Sequence, residues 1–196
     1  MTKRVHYHLF ETAAGFAAIG WNDKGISSVR LPAASAHKAE RSLVRRFSMA
    51  LPTEPPPAVR SVVDAVVRYF AGERVDFAAV PVDMGEQSLF FEQVYAFVRK
   101  LGWGEATTYG AVAKALGAGP EFAREVGQAM ANNPVPLIVP CHRVTGAGGK
   151  IGGFSAPGGS TSKAHMLALE GVSIEAAPTS RKAAPGKTDT QAGFDF

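Results

Sequence analysis

Residues 107–144 read TTYGAVAKALGAGPEFAREVGQAMANNPVPLIVPCHRV, and this stretch is the most informative about the fold. Gly117-Ala118-Gly119-Pro120 is a strong turn signal between two segments whose apolar residues recur at helical spacing. Pro120 suits the start of the second helix, predicted from Glu121 to about Ala131. Helix, glycine turn and helix predict a helix-turn-helix. Prolines at 134, 136 and 140 then exclude a regular helix, so residues 133–144 are predicted to be extended or turning.

Helical patterns also flank this stretch. One helix before it carries apolar residues at helical spacing, and a last helix follows a glycine-rich loop over residues 146–159 and ends at Gly171. Hydroxyl side chains mark the predicted helix starts, because they can accept hydrogen bonds from free backbone N–H groups. These candidates are Ser88, Thr107 or Thr108, and Ser160 or Thr161.

The first third of the chain changes from a strand pattern to a helical one. Residues 5–10, 15–21 and 26–31 are predicted strands separated by turn signals, which indicates an antiparallel meander. Residues 75–82 are predicted to be a further strand or an extended connection. Two helices are predicted between residues 31 and 75. The first is capped by Ser35, and its apolar face consists of Ala39, Leu43, Phe47 and Leu51. The apolar face of the second consists of Val59, Val62, Val63, Val66 and Phe70. We predict an α/β domain over residues 1–84, a mostly helical domain over 85–172 and a disordered tail over 173–196.

Composition excludes several classes of protein. The chain has 196 residues, 46% of them apolar, which is enough for a packed core. Its single cysteine excludes an intramolecular disulfide framework and a zinc site built on several thiolates, and fits a reducing compartment such as the cytoplasm. Since no run approaches 18 apolar residues, no membrane-spanning helix is expected, and a signal peptide is not expected either. The net charge of +4 is only a mild hint of a polyanionic partner.

Cys141 is the first candidate for chemistry. A lone cysteine is usually a buried, inert residue. Here it follows an apolar segment and precedes His142-Arg143, and nearby cations lower the pKa of a thiol and so favour the nucleophilic thiolate. Adjacency in sequence does not place His142 within bonding distance of the sulfur. The two interpretations, inert and reactive, carry about equal weight on the residues alone.

Arg124 lies on the second helix of the predicted pair. At helical spacing, Phe122, Val126 and Met130 share the face that should pack inward. The residues of the opposite face are small, apart from two with long side chains. Such a face could approach a groove of a nucleic acid closely, with one cationic side chain projecting into it. A solvated helix face is the far commoner explanation of this pattern. Arg124, Gly127, Gln128 and Ala131 form that face.

Two further residues allow both a plain and a functional interpretation. Glu170 shares a helix face with Met166 and Leu167, so it is either a surface charge at a helix end or a partly buried partner for a cation. Tyr109 begins the first helix of the predicted pair, where it either packs or offers a hydroxyl that donates a proton.

Taken together, Pro140-Cys141-His142-Arg143-Val144 resembles the active-site signature of the O6-alkylguanine-DNA alkyltransferases, the methylated-DNA–protein-cysteine methyltransferases. The resemblance covers roughly residues 5–172, and the Cys-His-Arg block with an Arg-x-Val-Gly helix at this spacing is highly specific. Further matching stretches are Asp23–Gly25, Tyr69–Gly72, Thr108-Tyr109, Ala123–Gly127, Ala129-Met130, Asn133–Pro136, Gly153–Ser155 and Leu169–Gly171.

The resemblance implies a fold and a partner. It implies a small α/β domain similar to ribonuclease H, followed by a mostly helical domain with a winged helix-turn-helix. The partner is duplex DNA containing O6-alkylguanine, bound through the minor groove with the damaged base rotated out of the stack. Arg124 matches the arginine that fills the gap, and the small residues Gly127 and Ala131 complete the DNA-binding face together with Gln128.

The resemblance also implies a chemistry that needs no cofactor and no metal. Cys141 matches the nucleophile that takes the alkyl group irreversibly, so one molecule repairs one lesion, O4-alkylthymine being a second expected substrate. His142 matches a base acting through water, Glu170 the carboxylate that orients it, and Tyr109 the group that protonates the departing purine. The remaining matches form the substrate pocket: Met130, Asn133, Val144 and Ser155.

Three departures from the family pattern bear on the pocket. Tyr95 replaces a usual tryptophan, which should affect packing only, and Phe154 replaces a common tyrosine, which removes one hydroxyl. The loop Ala156–Gly159 is slightly longer than in many relatives, so it could change which alkyl groups fit. With one cysteine, the N-terminal zinc site and cysteine-rich regulatory domain of some relatives are not expected, and we predict a stand-alone, monomeric repair protein.

Two other classes of function share some of these features. A helix-turn-helix protein that only recognises damaged DNA would use the same DNA-binding face, but relatives of that kind lack the cysteine. A cysteine hydrolase would use Cys141 and His142, would turn over, and would not need Arg124.

Overall fold

The computed structural model describes residues 4–173, which begin with an antiparallel meander. Strands β1 (His6–Thr12), β2 (Gly15–Asn22) and β3 (Gly25–Ala33) pair in sequence, which confirms the predicted strands. Gly15 closes the first hairpin with φ of 121°, where a Cβ atom would lie 2.6 Å from the carbonyl oxygen of Ala33. The full sheet has the order β3-β2-β1-β4, and β4 (Leu51–Pro52) runs parallel to β1.

Two helices pack on this sheet. Helix α1 (Ala36–Val44) is capped by the Ser35 side chain, as predicted, and buries Ala39 and Leu43. The prediction that Phe47 and Leu51 continue its apolar face is wrong. The Leu51 N–H instead bonds the carbonyl of Val5 at 3.0 Å, because the edge of β1 presents backbone groups that need partners. Helix α2 (Pro57–Phe70) buries the predicted apolar stripe.

The second half of the described chain is mostly helical. After an extended connection over residues 75–82, helix α3 (Leu89–Val98) is capped by Ser88. Helix α4 (Tyr109–Ala115) is capped by Thr108, and a 3₁₀ turn (Pro120–Phe122) leads into helix α5 (Ala123–Asn132). The prediction that Phe122 packs inward is wrong, because the 3₁₀ turn rotates it off the Val126–Met130 stripe. Its ring is 38% exposed and lies 5.6 Å from that of Phe90.

The segment after α5 leads through a short turn and a short strand to the last helix. Residues 141–143 form a 3₁₀ turn, and β6 (Val144–Thr145) pairs in parallel with β5 (Thr107–Thr108). Helix α6 (Ser160–Leu169) follows a glycine-rich loop. The predicted cap at Ser160 or Thr161 is wrong, because Gly159 is the N-cap and Ser160 is already helical. The predicted disordered tail lies outside the described residues, apart from Ser173.

One apolar cluster joins the two halves. It includes Ile19 and Val29 of the sheet, Val66 of α2, Val126 of α5 and Met166 of α6. A backbone hydrogen bond of 3.0 Å from Val29 N to Pro134 O also ties β3 to the segment before Cys141. Val135 and Val139 of that segment belong to the same cluster, so it packs in the core that the sheet, α2 and α6 form. No helix within residues 4–173 is long and apolar enough to cross a membrane.

Candidate active site

Cys141 is held at the end of a tightly braced turn. The Asn133 side chain accepts a hydrogen bond from Val135 N at 3.0 Å and donates one to Val139 O at 2.8 Å. Within this turn Leu137 has φ of 77°, a left-handed conformation that non-glycine residues rarely adopt. The Cys141 side chain is only 4% exposed. The backbone of the turn, rather than a regular element, therefore fixes the position of the sulfur.

The thiol of Cys141 is neutral in its resting environment. Burial raises its pKa, while a hydrogen bond from the Asn133 side chain and the charge of Lys163 act in the opposite direction. Asn133 and Lys163 thus favour the thiolate against the cost of burying its charge. The arrangement fits a thiol that ionises when it reacts.

Behind Cys141 lies a buried polar cluster centred on Glu170. Its carboxylate accepts hydrogen bonds from His142 Nε2 at 2.7 Å, from Tyr69 OH at 2.8 Å, and from Arg143 Nε and Nη2 at 2.8 and 2.9 Å. All four side chains are buried. Of the two interpretations of Glu170, the partly buried partner of a cation is therefore the correct one, because α6 ends facing the 3₁₀ turn that carries His142 and Arg143.

The cluster fixes the protonation state of His142. Burial alone would raise the pKa of Glu170, but hydrogen bonds from His142 and Arg143 lower it to about 2, so the carboxylate is ionised and can only accept. His142 Nε2 must then carry a proton. Burial lowers the pKa of His142 despite the Glu170 charge, so the ring is neutral and Nδ1 is a free acceptor. That Nδ1 is buried and has no hydrogen-bond partner among the described residues.

Tyr109 and Lys163 form a second polar pair on the other side of the site. Lys163 Nζ donates to Tyr109 OH at 3.2 Å and to the carbonyl of Val144 at 2.6 Å. Burial lowers the pKa of Lys163 to about 8, and a thiolate at Cys141 would act in the opposite direction. Burial raises the pKa of Tyr109, and a thiolate at Cys141 would raise it further, so the hydroxyl keeps its proton. A protonated phenol is thus placed beside an ammonium group.

A cavity of ≈ 400 Å³ opens between α5 and the loop before α6, with Cys141 in its wall. The exposed face of α5 forms one side, and Tyr95 of α3 supports that helix by donating to the carbonyl of Ala129 at 2.9 Å. The cavity is lined by Tyr109, Gly127, Met130, Ala131, Cys141, Gly153, Phe154 and Ser155. Four of these eight were predicted on the DNA-binding face or in the substrate pocket, and Tyr109 and Cys141 were predicted to be catalytic.

The other predicted site residues lie around this cavity. Arg124 and Gln128 are exposed on the same side of α5, outside its lining. Asn133 braces the turn, and Val144 contributes its carbonyl to Lys163. Within residues 4–173, no group of three or more His, Cys, Asp or Glu side chains could hold a metal ion.

Sequence reasoning missed three polar residues. Tyr69 lies in the apolar stripe of α2, and Lys163 is completely buried on α6. Arg143 adjoins the candidate residues but had no assigned partner; its Nη1 also donates to the carbonyl of Leu101 at 2.5 Å. A lysine on an apolar helix face and a tyrosine within an apolar stripe were the available signals, although only the fold shows that Tyr69 contacts Glu170 and that Lys163 contacts Tyr109.

Comparison with known sequences gives a consistent set of relatives. The family profile described as "6-O-methylguanine DNA methyltransferase, DNA binding domain" matches residues 89–172. The chain is 34% identical over 172 residues to the methylated-DNA–protein-cysteine methyltransferase of Sulfolobus acidocaldarius, covering 88% of this chain and 97% of the relative. It is 43% identical over 107 residues to the protein of that name from Metallosphaera sedula, covering 55% of this chain and 64% of the relative.

Comparison with solved structures agrees. The crystal structure of Mycobacterium tuberculosis OGT in complex with DNA superposes with a TM-score of 0.68 at 32% sequence identity. The match covers 84% of this chain and 92% of that chain. The similarity therefore includes the sheet as well as the helical half.

Proposed function

Because this chain belongs to the family of the methylated-DNA–protein-cysteine methyltransferases, we propose that it repairs DNA by moving the alkyl group of O6-alkylguanine onto Cys141. The main support for this proposal is the position of Cys141 in the wall of a cavity of ≈ 400 Å³ that opens beside the exposed face of α5. A base rotated out of a duplex on that face would enter this cavity. O4-alkylthymine is proposed as a second substrate.

Cys141 would attack the alkyl carbon, with His142 as the base. The bond from sulfur to carbon forms as the bond from that carbon to O6 breaks, and its electron pair stays on the purine oxygen. His142 Nδ1 is the acceptor that would take the thiol proton through a bridging water, and Glu170 would stabilise the imidazolium that results. Tyr69 and Arg143 position Glu170 by hydrogen bonds to its carboxylate.

Tyr109 would donate a proton to the departing purine. The Lys163 ammonium group beside its hydroxyl would stabilise the phenolate that remains. Met130 and Ser155 would line the base pocket, with the main chain at Val144. Phe154 provides an apolar ring in the cavity wall in place of a hydroxyl.

The reaction would consume the protein. The product is a thioether on Cys141, and no group in the described site offers a low-barrier route back to the thiol. Each molecule would therefore act once. We further propose that it acts as a monomer in the cytoplasm.

We also propose that the two halves of the chain have the folds typical of this family. A four-stranded mixed sheet with α1 and α2 fits a domain similar to ribonuclease H over residues 1–84. Helices α4 and α5 with the β5–β6 pair fit a winged helix-turn-helix over residues 85–172. In that arrangement α5 would enter the minor groove, where Gly127 and Ala131 permit close approach.

The reaction is tested by incubating the full chain with a duplex containing O6-methylguanine and measuring the intact mass. We expect the mass of one methyl group, mapped to the peptide of Cys141, with product limited to one per protein molecule. Cys141→Ala should show no gain. Binding without a mass gain would indicate a damage-recognition protein, and repeated turnover would indicate a hydrolase, so either result would overturn the proposal.

Arg124 is proposed to fill the space that the rotated base leaves in the stack. Arg124→Ala should then slow alkyl transfer from duplex DNA about 10-fold or more, because base extrusion costs a few kcal/mol that the arginine offsets. Transfer from free O6-benzylguanine, which needs no extrusion, should change less than about twofold. Equal losses on both substrates would argue against this role. Arg60→Ala, on the exposed side of α2, is the matched control.

A further inference from the structure

A second cavity reaches Cys141 from the side of the sheet. It has a volume of ≈ 200 Å³ and shares Met130, Ala131, Cys141, Phe154 and Ser155 with the first cavity. Its other walls come from β3, from α1 and Arg46 beyond it, from the end of α5 and the turn after it, and from the loop before α6. Ala156 and Pro157 of the longer loop contribute to its rim. A base bound in the first cavity would therefore direct the group on its O6 atom past Cys141 toward the second.

The second cavity is cationic. Arg30 of β3, Lys38 of α1 and Arg46 line it, and its lining contains no aspartate or glutamate. None of the three forms an ion pair with a described residue. The one acid on α1, Glu40, instead accepts a hydrogen bond from Tyr7 OH at 2.6 Å. The positive charge at this wall is thus not neutralised within the described chain.

Arg30 has a hydrogen-bond donor without a partner among the described residues. It is half-buried, and its Nε is buried without a hydrogen-bond partner. Burial, together with the charge of Arg46, lowers its pKa to about 10. Arg30 also lines the cavity, and a guanidinium without an ion-pair partner can bind a carboxylate through parallel hydrogen bonds.

We propose that this second cavity holds the substituent on O6 and favours alkyl groups that end in a carboxylate. This inference rests on the proposed function. A methyl group is about the size of a water molecule, which occupies roughly 30 Å³ in the liquid, so the cavity has room for a longer substituent. For a carboxymethyl group, Cys141 Sγ bonds the methylene carbon, the bond from that carbon to O6 breaks, and guanine leaves with a proton. The carboxylate, held by Arg30 and Arg46, remains on the resulting thioether.

The test compares two substituents of the same shape. Single-turnover rates are measured on duplexes carrying O6-carboxymethylguanine or its neutral isostere O6-carbamoylmethylguanine, with O6-methylguanine as reference. Using the ratio of the first two rates within each variant cancels differences in intrinsic reactivity. In Arg46→Gln and Arg30→Gln this ratio should fall roughly 10-fold, because each variant removes one of the positive charges that would attract the carboxylate but not its neutral isostere.

Arg45→Gln is the matched control. This variant loses one positive charge from the same part of the chain as Arg46→Gln. Arg45 lines the outer groove of α1 but not the cavity that reaches Cys141. Its ratio should stay within about twofold of the parent value. Because Arg46 is exposed, Arg46→Gln keeps the test valid if Arg30→Gln lowers the unfolding midpoint.

Failure of this inference and failure of the proposed function give different results. If Arg46→Gln and Arg30→Gln slow all three substrates equally, these cations bind the phosphate backbone, and the inference is wrong. If the ratio does not change in either variant, it is also wrong. If no alkyl group is transferred even from O6-methylguanine, the proposed function itself fails.

Discussion

Glu170 connects buried groups that lie far apart in the sequence. Its carboxylate accepts hydrogen bonds from Tyr69 of α2 and from His142 and Arg143 of the turn after Cys141. If the carboxylate were neutral, the buried guanidinium of Arg143 would lack its anionic partner. One negative charge therefore supports both the stability of this cluster and the orientation of the proposed base.

Glu170→Gln should lower the free energy of unfolding by about 3–5 kcal/mol, the usual cost of leaving a buried charge without its partner. Urea denaturation followed by circular dichroism measures this loss. Glu73→Gln is the control, because Glu73 is half-exposed and pairs with Arg68 at the surface (Nε to Oε2, 2.7 Å). It should cost less than about 1 kcal/mol. Similar losses in the two variants would show that the buried cluster does not contribute as proposed.

Glu170 also predicts how stability depends on pH. Its pKa is about 2 in the folded chain, against 4.5 for an unperturbed glutamate. A lowered pKa stabilises the fold above about pH 4.5, and the contribution is lost as pH falls toward 2. We expect a loss on the order of 3 kcal/mol over this window that Glu170→Gln does not show. Urea midpoints between pH 5 and 2 test this, and parallel curves for the two proteins would contradict it.

At the scale of elements, the turn over residues 133–140 matters most. It has no regular secondary structure of its own beyond an isolated bridge between Pro136 and Val139, so its shape depends on side-chain hydrogen bonds. Asn133 satisfies two buried backbone groups, Val135 N and Val139 O. These bonds allow Leu137 to keep a positive φ while its side chain stays buried in the core. The turn can therefore hold Cys141 between two cavities.

Asn133→Ala should destabilise the protein by about 2–4 kcal/mol, because it leaves two buried backbone groups without partners. It should also slow alkyl transfer to Cys141, since the sulfur loses its support. The control for stability is Asn132→Ala, because Asn132 is exposed at the end of α5 and its side chain donates to Gln128 O. Denaturation of both variants and the single-turnover rate of Asn133→Ala test this role. Equal stability losses in the two variants, or an unchanged rate in Asn133→Ala, would contradict it.

At the scale of the molecule, the two halves share one core. Apolar side chains of the sheet, α2, α5 and α6 belong to the same cluster, and the hydrogen bond between Tyr69 and Glu170 joins α2 to the end of α6. The domain boundary that the sequence predicts at residue 84 stays a prediction. The shared core indicates that neither half keeps its buried surface without the other.

The chain should therefore unfold in a single transition. Its two tryptophans report on different halves. Trp21 lies in β2, whereas Trp103 lies in the connection between α3 and α4 and contacts Tyr69 of α2. In Trp21→Phe and in Trp103→Phe, the fluorescence midpoint in urea should coincide with the midpoint from circular dichroism of the same variant. Two separate midpoints within either variant would indicate that the halves unfold independently.

Local patterns in the sequence predicted most of the elements. The meander, the caps at Ser35, Ser88 and Thr108, and the stripe of α2 depend on neighbouring residues, and the structure confirms them. The errors fall where non-local contacts decide. Leu51 leaves the predicted helix because the edge of β1 needs partners, and Phe122 turns outward to meet Phe90.

The sequence by itself identified Cys141, His142, Glu170, Tyr109 and Arg124 as candidates, because motif spacing is a local property of the chain. Only the tertiary structure decided that Glu170 is buried and paired, and that Tyr69 and Lys163 join the site. It also placed the cations of β3 and α1 beside Cys141. Contacts across about 100 residues, such as the one between Tyr69 and Glu170, arise from packing around a shared core, which no local pattern encodes.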